Sequence, residues 1–309
     1  MRRVVIIVLI AIIAIIFLAG ILVLLSKVKG GMTAGFSESA QIELMYKDAA
    51  RYLAKQDEKE AVKIYEKVMQ KFTQSPKRDL ALFAVGNYYQ KIGKFDQAKT
   101  AYTDLLSSCP ESLLLKKTQE QLGDLNIKIL FSPIITSDSS VYEVKRGDNL
   151  TSIAKASGTT VDLIKKSNNL SSDTIRVGSK LKVIKSRFSV IVDKSQNILT
   201  LKSNEDVLKT YPVSTGLDNC TPIGNFKVVN KIIDPTWYSA EAIVPPSSPE
   251  NILGTRWMGL SIEGYGIHGT TDPGSIGRSV TAGCVRMRNS DVEELYTILP
   301  VGTVVTVVD

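Results

Sequence analysis

The hydrophobic pattern changes its period along the chain, and this change constrains the fold more than any other feature. Residues 38–130 contain few Gly and Pro, and apolar residues recur there at steps of three and four, which predicts helices. From Arg187 onward, short runs enriched in β-branched residues are separated by Gly, Pro and Asn, which predicts strands. Because 309 residues exceed one domain of ~150 residues, we expect a multidomain protein.

An apolar run without charge or Pro occupies residues 4–25, and roughly 20 such residues suffice to cross a bilayer. Arg2 and Arg3 precede the run, which favours an N-in, C-out orientation. We therefore predict residues 1–30 as a cytoplasmic tip and transmembrane signal anchor. The bulk of the protein would then lie in the periplasm or cell-wall space. A cleaved signal peptide is the alternative, but its apolar region would be shorter, about 7–15 residues.

The net charge indicates which partners the protein could contact, and the cysteine content indicates whether disulfides are expected. The net charge of +7 suits contact with the cytoplasmic membrane surface or an anionic cell-wall polymer, and the sequence contains no nucleic-acid motif. Three dispersed cysteines, Cys109, Cys220 and Cys284, fit one reactive thiol and two incidental ones better than a disulfide framework. Cys220 lies beside Thr221-Pro222 and is a candidate for a redox lock with Cys284.

Internal repetition is visible within the helical region. One segment follows the order of residue types in a tetratricopeptide repeat, namely a large residue, a Leu-Gly-like pair, Tyr, Ala, an aromatic residue and Pro. The matching positions are Leu82, Gly86, Tyr89, Ala98, Tyr102 and Pro110. A weaker copy precedes it, and residues 112–129 would cap the array. Residues 38–130 thus resemble a tetratricopeptide-like region, which implies a concave surface for a protein partner. A plain pair of helical hairpins is the alternative.

Residues 131–140 lose the helical period and gain Ser, Thr and Pro, so we predict a linker there. Residues 141–185 then read as strand, helix, helix and strand. Tyr142-x-Val144, a Gly-Asp-x-Leu turn, Asn168 and Gly178-x-x-Leu181 together resemble a LysM domain, a small βααβ module. The resemblance implies binding to N-acetylglucosamine-containing glycan. Its candidate contacts are in the turn after the first strand: Gly147, Asp148, Asn149 and Leu150.

The only histidine, His268, and a cysteine that follows glycine, Cys284, flank a loop rich in Gly, Ser and Thr. A cysteine nucleophile needs a base, and imidazole is the usual one near neutral pH. A neighbouring imidazole would also lower the thiol pKa by forming an ion pair. Gly283 lets the backbone approach a substrate closely, and the amides of Gly283 and Cys284 are candidates for stabilising an oxyanion.

The segment Ile267-His-Gly-Thr, Ser275-Ile-Gly and Gly283-Cys-Val-Arg-Met, followed by Asn289-Ser-Asp291, resembles the active-site segment of the L,D-transpeptidase (YkuD-like) catalytic domain. The resemblance covers residues 187–309 and implies a mostly-β sandwich. It implies that Cys284 is the nucleophile, that His268 is the general base and acid, and that the Gly269 carbonyl orients His268. If the segment is extended, Arg286 shares a face with Cys284 and is a candidate to hold a substrate carboxylate; a surface arginine is the alternative. Ser275 and Thr281 are further candidates for substrate binding. Ser290-Asp-Val-Glu293 has the spacing of a capping box, which predicts a helix start.

The modules together predict a peptidoglycan L,D-transpeptidase that forms 3→3 cross-links through a cysteine acyl-enzyme, with no metal or cofactor. The predicted fold class combines an N-terminal transmembrane helix, an α-helical repeat region, a LysM module and the L,D-transpeptidase sandwich. An L,D-carboxypeptidase would use the same acyl-enzyme with water as acceptor. A non-catalytic peptidoglycan-binding adaptor is the second alternative, although it would not require both His268 and Cys284.

Overall fold

The computed structural model describes residues 37–238 and 242–309. The chain divides into two compact units, one that ends at Leu115 and one that spans Lys116–Asp309. The first unit, in its described part, consists of consecutive helices with short connections. These helices are α1 (Glu38–Ala54), α2 (Glu58–Lys71), α3 (Asp79–Lys91) and α4 (Phe95–Ser108).

Small residues allow the helices of the first unit to pack closely. A Cβ at Gly86 on α3 would lie 2.4 Å from Cε1 of Tyr102 on α4, so the two helices can only approach this closely with glycine at that position. Tyr102 is fully buried, and its hydroxyl lies within hydrogen-bond distance of the side-chain oxygens of Asn87 (2.7 Å) and Gln90 (2.9 Å). The Leu-Gly-Tyr pattern of the sequence therefore reflects the close packing of α3 against α4.

Helix α5 (Leu115–Leu130) belongs to the second unit except for its first residue. Ile127 and Leu130 are buried in the same core as the β-domain residues, and the Asn126 side-chain amide donates a hydrogen bond to the Leu208 carbonyl at 2.9 Å. The sequence placed this helix as the cap of the helical repeats, whereas its apolar face packs within the second unit. The periodicity predicted a helix but carried no information about which core the helix joins.

A small βααβ module follows, with β1 (Ser139–Glu143), α6 (Leu150–Ser157), α7 (Val161–Ser167) and β2 (Lys180–Ile184). The two strands pair in antiparallel fashion. Helix α6 begins with a capping box in which Asn149 and Ser152 satisfy each other's backbone amides, and it ends at Gly158 in the left-handed conformation. The local signals of the sequence therefore agree with the module's boundaries.

Replacing Asn168 with alanine should destabilise this module. The Asn168 side chain accepts a hydrogen bond from the Lys182 amide (2.7 Å) and donates to the Lys182 and Ile164 carbonyls (2.8 Å each), so it joins the end of α7 to β2. Loss of the side chain leaves partly buried backbone groups unpaired, which costs about 2 kcal/mol of unfolding free energy. Urea denaturation checks this, with Ser171→Ala, an exposed neighbour, as control. Equal midpoints for the two variants would contradict the prediction.

The remaining strands build the β domain. In chain order they are β3 (Phe188–Asp193), β4 (Ile198–Ser203), β5 (Asp206–Pro212), β6 (Thr215–Gly216), β7 (Gly224–Ile233), β8 (Trp237–Tyr238), β9 (Ile243–Val244), β10 (Arg256–Leu260), β11 (Gly266–His268), β12 (Ser279–Thr281), β13 (Val285–Arg286) and β14 (Val304–Val308). Among the described residues, eight of them form one mixed sheet in the order β13-β11-β10-β7-β14-β3-β4-β5. Its alternation of buried and partly exposed residues, clearest in β3, buries one face.

Helix α8 (Asn289–Ile298) packs on this core through Val292, Leu295 and Ile298, all fully buried. The predicted helix is present, but the predicted capping box is absent. The Ser290 hydroxyl contacts Asp291 at 3.3 Å, and the helix starts one residue earlier, at Asn289. The spacing alone could not reveal that Asn289 and the residues before it are fixed by tertiary contacts.

One part of the predicted fold class is corrected. Within residues 37–238 and 242–309, no helix is both long and apolar enough to cross a membrane. The longest, α1, has 17 residues and includes charged side chains, whereas a bilayer requires about 20 predominantly apolar residues. The structure therefore does not support the transmembrane component of the predicted fold class or the predicted membrane-anchored localisation. The apolar run at residues 4–25 lies outside the described residues.

Candidate active site

The register of two neighbouring strands brings His268 and Cys284 to one surface. Ile267 on β11 pairs with Val285 on β13 in a parallel ladder, and both side chains are buried in the β-domain core. Because successive side chains along an extended chain point to opposite faces, the residues next to this pair point away from the core. His268 follows Ile267 and Cys284 precedes Val285, so both are directed to the same surface at the sheet edge.

A cleft of about 410 Å³ opens at this edge. His268, Cys284 and Arg286 line it together with Trp237 and Trp257. The Trp257 and His268 rings are stacked, with centroids 6.0 Å apart and an angle of 20° between their planes. The indole covers one face of the imidazole and restricts its rotation. The cleft is therefore mostly apolar, with a few polar groups directed into it, as is common for small-ligand sites.

The hydrogen bond of His268 defines which of its nitrogens is free. The Nδ1 atom lies 2.7 Å from the Gly269 carbonyl oxygen, which can only accept, so Nδ1 carries the proton. The neutral ring then has Nε2 as its acceptor. Burial lowers the pKa of His268 from 6.5 to about 4, although the Gly269 bond raises it and the Arg286 charge lowers it. At neutral pH the imidazole is therefore a neutral proton acceptor.

The Cys284 thiol is also neutral at rest. Its Sγ lies 3.6 Å from the Gly264 carbonyl oxygen, and burial raises the thiol pKa above its usual value despite the opposing influence of Arg286. The sequence led us to expect a resting ion pair between thiolate and imidazolium. The two pKa shifts oppose that ion pair, because burial disfavours both charged forms. The neutral forms that burial favours for both groups are those required for transfer of the thiol proton as the thiol attacks.

The turn before Cys284 is held by Thr281. Its hydroxyl donates to the Cys284 carbonyl (2.7 Å) and accepts from the Gly283 amide (3.2 Å). Thr281 therefore serves the shape of the turn, and the Gly283 amide is already engaged in this structure. Gly283 has a φ of +119°, and a Cβ there would lie 2.5 Å from the Tyr265 ring. Only glycine fits both the backbone conformation and the close contact.

The Arg286 side chain is oriented by a hydrogen bond to Ser275. Its Nη1 donates to the Ser275 hydroxyl at 3.1 Å, and that hydroxyl donates to the Asp272 carbonyl at 2.6 Å. Ser275 is almost fully buried, so it orients Arg286 rather than contacting solvent. Within the part of the chain that the structure describes, the buried Nε of Arg286 has no hydrogen-bond partner. Burial lowers the pKa of the Arg286 guanidinium.

Cys220 lies close to the same turn. Its Sγ is 3.9 Å from the Thr281 carbonyl oxygen, and its carbonyl oxygen lies 3.4 Å from the position that a Cβ on Gly283 would occupy. Cys220 is exposed, and Cys220 and Cys284 are both free thiols. The redox lock suggested by the sequence is therefore not formed in this structure.

The four glycan candidates of the βααβ module have different environments. Asp148 accepts hydrogen bonds from the Lys145 amide (2.7 Å) and the Tyr142 hydroxyl (2.9 Å), which lower its pKa. Asn149 caps α6, and Leu150 is buried in the module core. Asp148, Asn149 and Leu150 therefore make contacts within the module. Gly147 is exposed and makes no comparable side-chain contact.

Comparison with known proteins matches three parts of the chain. Sequence models of the L,D-transpeptidase catalytic domain, the LysM domain and the tetratricopeptide repeat match residues 187–307, 142–183 and 80–112, respectively. All three resemblances predicted from the sequence are thereby confirmed. The catalytic-domain match contains the whole cleft. The LysM match covers both helices of the βααβ module and most of its second strand.

Two relatives from Bacillus subtilis (strain 168) extend this result. The protein that carries the name L,D-transpeptidase YkuD is 34% identical over 173 residues, which cover 54% of this chain and 97% of that protein. The one that carries the name L,D-transpeptidase YqjB is 40% identical over 126 residues, covering 39% and 70%. A solved L,D-transpeptidase from Mycobacterium smegmatis is 23% identical with a TM-score of 0.35, covering 43% of this chain and 65% of that one. The chain belongs to the L,D-transpeptidase family.

Proposed function

We propose that this protein forms 3→3 cross-links in peptidoglycan through an acyl-enzyme on Cys284. The observation that carries the proposal is the arrangement of His268, whose Nδ1 is bound to the Gly269 carbonyl while its ring lines the same cleft as the Cys284 thiol. A neutral imidazole with a fixed tautomer is the form that can accept the thiol proton.

The reaction follows from these two groups. The Cys284 Sγ attacks the carbonyl carbon of the third residue of a tetrapeptide stem, and the thiol proton passes to Nε2 of His268. The tetrahedral intermediate collapses, the carbon–nitrogen bond breaks, and the imidazolium returns the proton to the departing D-alanine amine. An amine from a second stem then attacks the thioester and loses a proton to His268. The new amide bond releases the Cys284 sulfur, which regains its proton.

The oxyanion of the intermediate requires donors. The Gly283 amide is engaged with Thr281, so we assign the Cys284 amide as the first donor. The Gly283 amide would join it if substrate binding displaces the Thr281 hydroxyl. Such a donor contributes a factor of about 10² to 10³ in rate.

Arg286 is proposed to hold a substrate carboxylate in the cleft. Its buried, unpaired Nε and its half-buried charge are satisfied when a carboxylate binds two guanidinium nitrogens. Arg286→Lys removes this fork but keeps the charge. We expect kcat/KM to fall about 10- to 100-fold, mainly through KM, because one bidentate pair is worth roughly 1.5–3 kcal/mol. Steady-state kinetics with muropeptides measure this, and a normal KM would contradict the assignment. Arg278→Lys, exposed in the preceding loop, is the matched control.

The LysM module is proposed to bind the glycan strand and so to hold the catalytic domain near its stem peptides. The helical repeat region is proposed to contact a protein partner. Neither proposal requires a contribution to the chemistry of Cys284.

The test is mass spectrometry of the purified protein after incubation with disaccharide-tetrapeptide muropeptides. A cross-linked dimer together with loss of D-alanine supports the proposed transpeptidase. A tripeptide product without dimer would contradict cross-linking and indicate the carboxypeptidase. Unchanged muropeptides, with glycan binding intact, would contradict catalysis and indicate the adaptor.

A further inference from the structure

Asn289 joins two loops behind His268. Its side-chain oxygen Oδ1 accepts a hydrogen bond from the Thr270 amide at 3.0 Å and another from the Thr255 amide at 3.2 Å. Asn289 is the first residue of α8, so its backbone is fixed by a helix packed on the core. The side chain therefore connects a rigid element to the loop that follows β11.

The bond to Thr270 fixes one particular peptide group. The peptide between Gly269 and Thr270 contains the carbonyl that accepts from His268 Nδ1 (2.7 Å) and the amide that donates to Asn289. Because a peptide group is planar and its C=O and N–H point in opposite directions, holding the amide also aims the carbonyl. Asn289, the peptide group and His268 thus form a continuous chain of hydrogen bonds. Such chains strengthen each member by polarisation.

The surrounding glycines give Asn289 the space for this role. A Cβ at Gly269 would lie 2.2 Å from the Asn289 Oδ1, and so would a Cβ at Gly254. Gly254 also has a φ of +63°, which side chains disfavour. Any other residue at either position would push the Asn289 oxygen away from the two amides. Both loops are therefore shaped around this one oxygen atom.

We propose that Asn289 is a positioning residue, which fixes the tautomer and orientation of His268 through the Gly269–Thr270 peptide group. The inference rests on the proposed role of His268 as the base. In a Cys-His-Asn site the amide side chain contacts the imidazole directly. Here Asn289 acts on the imidazole through the backbone.

The single histidine of the chain permits a direct test. Protein labelled with ¹⁵N-histidine gives the nitrogen signals of one imidazole, and their chemical shifts report the tautomer. We expect the Nδ1–H form in the unmodified protein, a larger share of the Nε2–H form in Asn289→Leu, and recovery in Asn289→Asp, which keeps an acceptor oxygen. Asn289→Ala replaces the leucine variant if that variant does not fold. An unchanged tautomer in the leucine and alanine variants would overturn the inference.

Kinetics provide the second readout. Misplacement of a catalytic group can cost about 10²-fold, so we expect kcat to fall by about 10- to 100-fold in Asn289→Leu, with KM within twofold. Ser290→Ala, the exposed next residue, should leave both unchanged. A loss expressed in KM alone would overturn a role in positioning the base. If the unmodified protein does not turn over muropeptides, the proposed function fails, while the tautomer measurement still decides the role of Asn289.

Discussion

Replacing Cys284 with alanine is expected to reduce D-alanine release from tetrapeptide muropeptides by at least about 10³-fold, because the acyl-enzyme cannot form without the nucleophile. Cys284 is the cysteine that lines the cleft with His268, and alanine keeps the small volume of the side chain. Mass spectrometry should also detect no thioester on this variant. Its thermal unfolding should match that of the unmodified protein.

Cys220→Ala is the matched control. Cys220 lies beside the Thr281 carbonyl, close to the same turn, but it is exposed and does not line the cleft. We expect the activity of this variant to stay within about twofold of normal, since surface substitutions rarely change the free energy of unfolding by more than about 0.5 kcal/mol. Full activity in Cys284→Ala, or its loss in Cys220→Ala alone, would refute the assignment of the nucleophile.

Replacing His268 with glutamine is expected to lower turnover by about 10²- to 10⁴-fold, the range that general acid–base catalysis contributes. Glutamine cannot accept the thiol proton, and Arg286 would remain to bind substrate. KM should therefore change much less than kcat. Comparison of single-turnover rates for thioester formation isolates the step. An acylation rate near that of the unmodified protein would show that another group removes the proton.

The same substitution should change the pH dependence of stability. Burial holds the pKa of His268 at about 4, against 6.5 for the free group. Between these values the unfolded chain binds a proton that the folded protein does not, so stability falls as the pH falls from 6.5 to 4. The loss amounts to about 3 kcal/mol. Urea unfolding across this range should show the loss in the unmodified protein, and His268→Gln should lack this component. Parallel curves would contradict the role of burial.

Local pattern predicted the modules well. Strand alternation, the Gly-Asp-x-Leu turn and the helical period each act over a few residues, and the structure forms the corresponding elements. The sequence also indicated that His268 and Cys284 act as a pair, because His268 is the single candidate base and Cys284 is a thiol that follows glycine. The strand register that directs both side chains to one cleft depends on long-range pairing, which local pattern does not contain.

The parts that the sequence did not predict depend on tertiary contacts. The hydrogen bonds of the Ser275 and Thr281 hydroxyls to Arg286 and to the turn before Cys284 were not predicted. The role of these two residues as substrate contacts stays a prediction. The resting charges of His268 and Cys284 depend on burial, which disfavours the charged form of each group and therefore the ion pair expected from the sequence. Asn289 appeared in the motif without a role, because its target is a peptide group nineteen residues earlier in the chain.

The burial of Cys284 has a consequence for its chemistry outside the catalytic cycle. A thiol that stays protonated at rest reacts slowly with peroxides and alkylating reagents, since the thiolate is the reactive form. Cys220 is exposed and Cys109 is buried, so a general thiol reagent meets Cys220 first. Loss of one thiol equivalent in a titration would then leave catalysis intact. The exposed Cys220 thiol would therefore react with such a reagent before the Cys284 thiol, the proposed nucleophile.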